Sequence, residues 1–263
     1  MKKLPIENPF GAPVYHEETL HSTFEAARLL EECGEPHGTV ICADFQEEGR
    51  GRLNRPWKTE RGKSLLFTIL LRYASIPAIP EALTLRTGLA VSLAIESLYP
   101  ALMGKIKIKW PNDIMAIFPA RAGKAGGILI ETDGKNVFIG VGINLAQKEF
   151  PVDYRSKAAS LIQLIPNLGG NSKFDLLEMI LSRLYAEIEN NLKVEKDGHW
   201  REGLLERLYK KGENVVFAEG TADSNCIVEG VLSGIGSSGE ILIIPKGEEK
   251  ERAFITGELR VYG

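Results

Sequence analysis

Residues 124–144, KAGGILIETDGKNVFIGVGIN, decide the fold of this chain. Two apolar, β-branched runs, 124–132 and 136–144, flank the turn pair Asp133-Gly134, which predicts a β-hairpin. Strands that follow one another so closely are antiparallel, because a parallel pair needs a crossover connection. We therefore expect a mixed or antiparallel main sheet with packed helices, an α/β fold of the α+β type, and not a doubly wound sheet.

The sequence on either side of this hairpin predicts further elements of the same domain. An S-x-x-E capping box at Ser22 and Glu25 marks the start of one helix, and Ser172 with Asp175 marks another. Alternating or continuous apolar runs predict the strands. The predicted strands are 14–17, 39–45, 64–72, 105–110 and 114–118; the predicted helices are 22–33, 79–98, 172–193 and 199–210. Residues 146–161 have no clear period and are predicted to form a mobile loop.

The pattern of predicted secondary structure changes at Gly212. From there to the end, short β-rich runs alternate with glycine-rich turns, which is typical of a small barrel-like β domain. We therefore place a domain boundary between residues 1–211 and residues 212–263.

Composition excludes several classes of protein. The chain has 263 residues, a formal net charge of −3 and 44% hydrophobic residues, as expected of a soluble globular protein without bulk nucleic-acid binding. Its three cysteines lack C-x-x-C spacing and its four histidines are scattered, which argues against a structural zinc or a histidine-based triad. No signal peptide and no run of about 18 apolar residues is apparent, so we expect a cytoplasmic enzyme without a membrane partner.

The run Gly49–Trp57, GRGRLNRPW, has the composition of an anion-binding loop. A guanidinium group can bind a phosphate through two parallel N–H···O hydrogen bonds. Glycine and asparagine allow the positive φ angles of a tight loop. Asn54 is expected to adopt such a left-handed conformation, and Trp57 offers a flat surface for a base. The run predicts a nucleotide pocket that is neither a Walker nor a Rossmann loop. The alternative is a solvated surface turn.

Glycines inside strong strands indicate close approach of a ligand or of another backbone. Gly126 and Gly127 begin one such strand, where Lys124 is placed to reach into the space that they leave open. Gly140 and Gly142 alternate on one strand face, so a flat ligand can lie over them while Asn144 binds its edge. The alternatives are a β-bulge for the first pair and packing against a helix for the second.

Two other polar positions have a structural and a functional interpretation. Asp113 follows Pro-Asn and either stabilises a turn or takes part in chemistry. Ser22 is explained by helix capping, whereas Thr23 lies in the first helical turn, where backbone N–H groups are available to a carboxylate ligand.

Taken together, GRGRLNRPW, Lys109-Trp110-Pro111-Asn112-Asp113, Lys124 with GGILIE, and GVGINL resemble, in this order, the motifs of biotin–protein ligases (biotin–[acetyl-CoA-carboxylase] ligases). The resemblance implies a class-II-synthetase-like sheet over residues 1–211, binding biotin and ATP, and an SH3-like barrel over residues 212–263. It also implies formation of biotinyl-5′-AMP with Mg²⁺ and transfer of biotin to a lysine of a biotin carboxyl carrier protein. Only some thirteen residues precede the first predicted strand, which matches the form without a DNA-binding domain. A homodimer through the edge of the central sheet is a further implication.

The resemblance assigns roles to individual positions. Those at the reacting centre are Arg50, Arg52, Lys124 and Asp113. The biotin-binding positions are Ser22, Thr23, Gln46, Gly49, Arg50, Arg52, Lys124 and Gly127. Arg55, Trp57 and Asn144 are matched to the adenylate, with Gly140 and Gly142 beneath a flat ligand. Because biotin's carboxylate is already ionised at neutral pH, the first step needs no general base, and the cations are needed to offset repulsion between the carboxylate and the triphosphate.

The sequence departs from the family pattern in two places. Phe24 stands where the family usually has the Asn of a Ser-Thr-Asn run. The segment before Lys124 is long, which leaves Arg121 as the alternative cation. Two other functions stay open at this point: a lipoate–protein ligase or octanoyltransferase, and a non-catalytic protein that binds biotin or nucleotide.

Overall fold

The computed structural model describes residues 1–151, 158–165, 168–190, 199–220 and 226–260. Its helices are α1 (Thr23–Glu32), α2 (Leu83–Leu98), α3 (Lys173–Tyr185) and α4 (His199–Arg207). The strands of the main sheet are β1 (Lys2–Lys3), β2 (Val14–Glu17), β3 (Val40–Ala43), β4 (Ser64–Arg72), β5 (Ile106–Lys109), β6 (Asp113–Ile117), β7 (Ala122–Asp133) and β8 (Asn136–Asn144). The remaining strands are β9 (Asn214–Glu219), β10 (Ile227–Ile235), β11 (Ile241–Pro245), β12 (Arg252–Phe254) and β13 (Gly257–Arg260).

The main sheet is mixed, as the hairpin pattern predicted. Its eight strands lie in the order β1-β2-β3-β4-β8-β7-β6-β5. Strands β2 and β3 are parallel and joined through α1, whereas the other neighbouring pairs are antiparallel. The long pair β7–β8 forms the predicted hairpin. The predicted fold class is therefore confirmed.

The two faces of the main sheet are covered differently. Helices α2, α3 and α4 pack on one face over a large apolar core. On the opposite face α1 packs against β3, β4 and β8, where Phe24, Ala27 and Leu30 meet Ile41 and Phe138. Because α1 covers only part of this second face, the strand ends beyond it stay accessible to the loop that follows β3.

The C-terminal strands form a five-stranded antiparallel sheet in the order β12-β11-β10-β9-β13. It contacts the main domain through Trp110, whose indole N–H donates to Gly239 O at 3.0 Å. The rings of Trp110 and Phe217 lie 5.8 Å apart. These contacts fix the small sheet beside the β5–β6 turn; the domain boundary at residue 212 stays a prediction.

Some predicted boundaries differ from those of the structure. Helix α2 begins at Leu83 rather than at residue 79, because Pro80 cannot donate a helical hydrogen bond and Ala82 has a φ of 52°. Helix α3 continues as a π-helical turn over Ala186–Asn190, and the rest of the predicted helix 172–193 lies outside the described residues. Part of the predicted loop 146–161 lies outside them as well.

The expectation that no segment is apolar enough to cross a membrane was wrong by length and composition. Ile76–Leu98 meets that criterion although it contains Glu81, Arg86 and Glu96, because the mean hydropathy of its most apolar window is high, at 1.3. In the fold, 67% of the most apolar 18-residue stretch of this segment is buried. Its apolar character is therefore explained by its position in the core of the main domain.

Candidate functional site

Strand register places the predicted site residues in two rows on the face that α1 partly covers. In the first row Lys109 pairs with Asp113, Asp113 with Gly127, and Gly127 with Gly142. The second row pairs Leu129 with Gly140 and Gly140 with Thr68. Residues separated by two along a strand point to the same face. The glycines therefore make a trough across the middle of the sheet, with an ionic end and an apolar end.

Two aromatic rings lie in the trough. A Cβ atom at Gly142 would lie 2.8 Å from Trp57 Nε1, and one at Gly140 would lie 2.1 Å from Phe24 Cε2. Gly140 is thus required by packing of α1, in agreement with the alternative given for this pair of glycines. Trp57 rests over Gly142 and also approaches Gly127, where a Cβ would lie 3.3 Å from its ring.

The arginine loop (residues 49–57) is a short closed turn. Trp57 N donates to Gly49 O at 2.7 Å, and Gly51 N donates to Arg55 O at 2.8 Å. Asn54 has the predicted left-handed conformation with a φ of 55°, and the preceding Leu53 has a φ of 56°. A Cβ at Gly49 would lie 2.7 Å from Trp57 O, which explains the glycine. The loop bounds an open cavity of about 750 Å³ with Phe45, Gln46, Glu47 and Glu48.

The three arginines of the loop reach three different parts of the molecule. Arg50 forms an ion pair with Glu131 at 3.1 Å, and Arg52 donates to Asn112 Oδ1 at 3.3 Å. Arg55 binds both carboxylate oxygens of Glu258 in β13, at 3.1 and 3.0 Å. The Arg55 guanidinium, more than any other group, holds the pKa of Glu258 below its usual value. The loop is therefore connected to β7, to the β5–β6 turn and to the C-terminal sheet.

A polar cluster lies at the start of α1. Gln46 Oε1 accepts hydrogen bonds from Thr23 N at 2.8 Å and Thr23 Oγ1 at 2.9 Å, and Thr68 Oγ1 donates to Thr23 Oγ1 at 2.9 Å. Ser22 caps the helix by accepting from Phe24 N at 3.2 Å. Thr23, Gln46 and Thr68 thus present a fixed set of donors and acceptors beside the Phe24 ring, which suits a small ligand that is polar at one end.

The ionic end of the trough contains two lysines and one carboxylate. Lys124 Nζ lies 2.6 Å from Asp113 Oδ1, and Lys109 Nζ lies 3.9 Å from Asp113 Oδ2. Lys124 also lies 5.3 Å from the centre of the Trp57 ring. Arg121, the alternative to Lys124, stacks on Phe118 instead. Of the two candidate cations, Lys124 is the one that the structure brings to the predicted site.

Two buried polar atoms at the trough have no hydrogen-bond partner within the described ranges. They are Trp57 Nε1, a donor, and Asn144 Oδ1, an acceptor. The amide of Asn144 donates to Ala159 O at 3.0 Å, which fixes its orientation. Since buried polar groups are normally paired, these two atoms are available to a bound ligand.

Sequence reasoning did not identify several partners at this site. Glu131 and Glu258 pair with loop arginines, Asn112 orients Arg52, and Thr68 completes the polar cluster. Asn112 and Glu131 lie inside the quoted motifs Lys109–Asp113 and GGILIE, but their pairing with distant arginines, like the positions of Thr68 and Glu258, is set only by strand register and the fold. Among the described residues there is no group of three or more His, Cys, Asp or Glu side chains that would hold a metal ion.

Comparison with known proteins identifies similar chains. A model of the biotin/lipoate A/B protein ligase family matches residues 21–144. The bifunctional ligase/repressor BirA of Bacillus subtilis is 36% identical over 161 residues, which cover 57% of this chain and 46% of that protein. The biotin–[acetyl-CoA-carboxylase] ligase of Mycobacterium tuberculosis is 34% identical over 153 residues, covering 58% of this chain and 53% of the relative.

The chain thus spans about half the length of these two relatives. A solved structure is similar over nearly the whole chain. The biotin protein ligase from Aquifex aeolicus in complex with biotin and ATP superposes with a TM-score of 0.74 at 25% identity, covering 94% of this chain and 97% of that one.

Proposed function

We propose that the chain belongs to the biotin/lipoate A/B protein ligase family, whose model matches residues 21–144, and that it is an ATP-dependent biotin–protein ligase. In this proposal it activates biotin to biotinyl-5′-AMP and transfers the biotinyl group to a lysine of a biotin carboxyl carrier protein. The observation that carries the proposal is the trough itself, in which a fixed polar cluster, an apolar ring and a group of cations follow one another along one sheet face.

The order of chemical groups along the trough matches the order of groups in biotin. The polar ureido ring is assigned to Thr23 and Gln46 with the neighbouring Ser22 and Gly49. The apolar chain is assigned to the region beside Phe24 and Gly140. The carboxylate then reaches the cationic end near Lys124, where Gly127 leaves room for it.

The first step needs charge neutralisation more than proton transfer. The biotin carboxylate is ionised at neutral pH, so its oxygen attacks the α-phosphorus of ATP directly, and pyrophosphate leaves with the electrons of the broken P–O bond. Arg50, Arg52 and Lys124 supply fixed positive charge where the carboxylate and triphosphate meet. Trp57, Arg55 and Asn144 are assigned to the adenylate, over Gly142.

In the second step the neutral amine of the carrier lysine attacks the acyl carbon, the bond between that carbon and the phosphate oxygen breaks, AMP leaves with its electrons, and the proton released from the amine nitrogen passes to solvent. In this proposal Asp113 accepts a hydrogen bond from that amine and orients it. The arginine loop then acts as the cover that keeps water from the mixed anhydride.

Mg²⁺ belongs to this proposal as the ion that accompanies ATP. We assign most of its ligands to phosphate oxygen and water, since Mg²⁺ usually keeps several waters and binds through substrate phosphates. A cytoplasmic location and a homodimer through the edge of the main sheet are likewise proposals.

The test is biotin-dependent exchange of pyrophosphate into ATP, followed by incorporation of biotin into an isolated biotin carboxyl carrier domain. We expect both activities. Exchange that depends on lipoate and not on biotin would replace the proposal with a lipoate–protein ligase. Binding of biotin without exchange would instead identify a non-catalytic binding protein.

A further inference from the structure

Lys109, the last residue of β5, is a buried lysine. The alternation of residues 105–110 predicts one lysine face on this strand, yet Lys105 is exposed whereas Lys109 is only 8% exposed. Its burial lowers the pKa of the ammonium, and the charge of Asp113 opposes that effect. Removing an ammonium from water costs free energy unless the group is paired. The surroundings of Lys109 must therefore compensate for its burial.

The carboxylate of Asp113 lies between two lysines of different character. Lys124, which is partly exposed, lies 2.6 Å from one of its oxygens, and the buried Lys109 lies 3.9 Å from the other. Within the described part of the chain, Lys109 Nζ makes no hydrogen bond, and Asp113 is its ion-pair partner. A separation of 3.9 Å is about 1 Å longer than a charge-assisted hydrogen bond. Lys109 therefore attracts Asp113 without being bonded to it.

This arrangement matters when Lys124 changes its partner. In the proposed first step Lys124 turns toward the biotin carboxylate and phosphate oxygens, and Asp113 then loses its close cation. A displacement of Asp113 by about 1 Å would give it a normal hydrogen bond to Lys109. The register pair Lys109–Asp113 keeps the two side chains on the same sheet face during this exchange.

We propose that Lys109 is a positioning residue for Asp113 during transfer of the biotinyl group to the carrier lysine, an inference that rests on the proposed ligase activity. Lys109 holds the carboxylate in place and directed at the incoming amine while Lys124 is engaged with the bound anion. Adenylate formation depends on Lys124 and the loop arginines, so it requires Lys109 much less.

The charged groups that face Lys109 come from four elements. They are Asp113 of β6, Glu258 of β13, Lys124 of β7 and Arg55 of the arginine loop. The two carboxylates favour the charged ammonium, whereas Lys124 and Arg55 oppose it. As the pH rises, Lys109 loses its proton below the ordinary lysine pKa of about 10.4 and ceases to hold Asp113, while an arginine at this position stays charged.

The experiment measures the two half-reactions separately in the full-length protein. Biotin-dependent ATP–pyrophosphate exchange reports adenylate formation, and single-turnover transfer from supplied biotinyl-5′-AMP to a carrier domain reports the second step. The variants are Lys109→Met and Lys109→Arg, with Lys105→Met as the matched control on the same segment. Transfer is followed from pH 7 to pH 10, and the rate of each variant is divided by the rate of the wild-type protein at the same pH. Ionisation of the carrier lysine and hydrolysis of the adenylate affect both proteins equally, so they cancel in this ratio.

We expect Lys109→Met to slow transfer by about 10- to 100-fold at neutral pH, the usual effect of losing a positioning contact, with exchange within about threefold of wild type. Lys109→Arg should restore most of the transfer rate, and its rate relative to wild type should rise with pH. Lys105→Met should behave as wild type.

Equal loss of both half-reactions in Lys109→Met, without rescue by arginine, would show a merely structural role and overturn the inference. Wild-type transfer rates in Lys109→Met at all pH values would overturn it as well. If the wild-type protein itself shows neither exchange nor transfer, the ligase activity is refuted and the role of Lys109 falls with it.

Discussion

Replacement of Gly140 by alanine tests how Phe24 is accommodated over the trough. The new Cβ would lie 2.1 Å from Phe24 Cε2 and 2.5 Å from its Cζ, whereas carbon atoms pack at about 3.5–4.0 Å. The ring would have to move by roughly 1.5 Å to restore that spacing. Phe24 is 4% exposed and packed among Ile41, Leu70 and Phe138, so the movement displaces its neighbours.

The expected cost follows from this geometry. Overpacking of a rigid core costs about 1–3 kcal/mol, and the severity of the overlap places Gly140→Ala near the upper end of that range. For a chain of this size, each kcal/mol lowers Tm by about 2–4 °C. We therefore expect a loss of roughly 2–3 kcal/mol in the free energy of unfolding and a Tm lower by about 4–12 °C.

The assay is urea and thermal unfolding of a double-mutant cycle. Phe24→Leu removes the ring atoms that lie nearest to Gly140, so it should destabilise the wild type by leaving a small cavity but should relieve Gly140→Ala. We expect a favourable coupling of about 1–3 kcal/mol between the two substitutions. Gly170→Ala is the control, because its new Cβ would meet nothing within 4 Å. Wild-type stability for Gly140→Ala, or additive effects in the double mutant, would refute the packing argument.

Three further predictions concern individual side chains. Lys124→Ala should reduce biotin-dependent pyrophosphate exchange by about 100-fold or more, as expected for loss of a charge at the reacting centre, and should leave the circular dichroism spectrum unchanged; unfolding of the variant would instead make Lys124 structural. Glu258→Gln should destabilise the protein at pH 7, because Arg55 lowers the pKa of Glu258 in the folded state. That difference should shrink as the pH falls from above the ordinary value of about 4.3 through the lowered one, and a constant difference in urea titrations would contradict it. Burial raises the pKa of Cys42 to about 12, so at pH 8 iodoacetamide should label the exposed Cys33 in the native protein and Cys42 only after unfolding, as read by mass spectrometry.

Local patterns in the sequence determined most of the elements. The N-cap residues Ser22 and Ser172 fixed two helix starts, because a cap depends on neighbouring residues; the predicted box closes at Ser172 with Asp175, whereas Ser22 accepts only from Phe24 N. The turn signal Asp133-Gly134 predicted the β7–β8 hairpin, and with it the antiparallel character of the sheet, although the two-residue turn itself is Gly134-Lys135. The conformation of Asn54 followed from residue type and loop composition. Each of these properties is decided within a few residues, so the sequence is enough to find it.

The tertiary structure alone decided which residues share the trough. Strand register brings Lys109, Asp113 and Gly127 side by side, and a shift by one residue would have turned them to the other face. The same long-range pairing buried Lys109, which local alternation could not distinguish from the exposed Lys105. Packing of α1 placed Phe24 over Gly140, so a residue that departs from the family pattern became part of the trough.

The arginine loop shows the same division. Its composition predicted anion binding and a tight turn, because guanidinium groups favour anions and glycines favour turns, and the tight turn is present in the structure. Its connections were decided by the fold, since Arg50 reaches Glu131 across 81 positions and Arg55 reaches Glu258 across 203. The sequence specifies the chemistry of each side chain. The contacts between side chains so far apart in sequence depend on the register of the main sheet and on the position of the C-terminal sheet beside it.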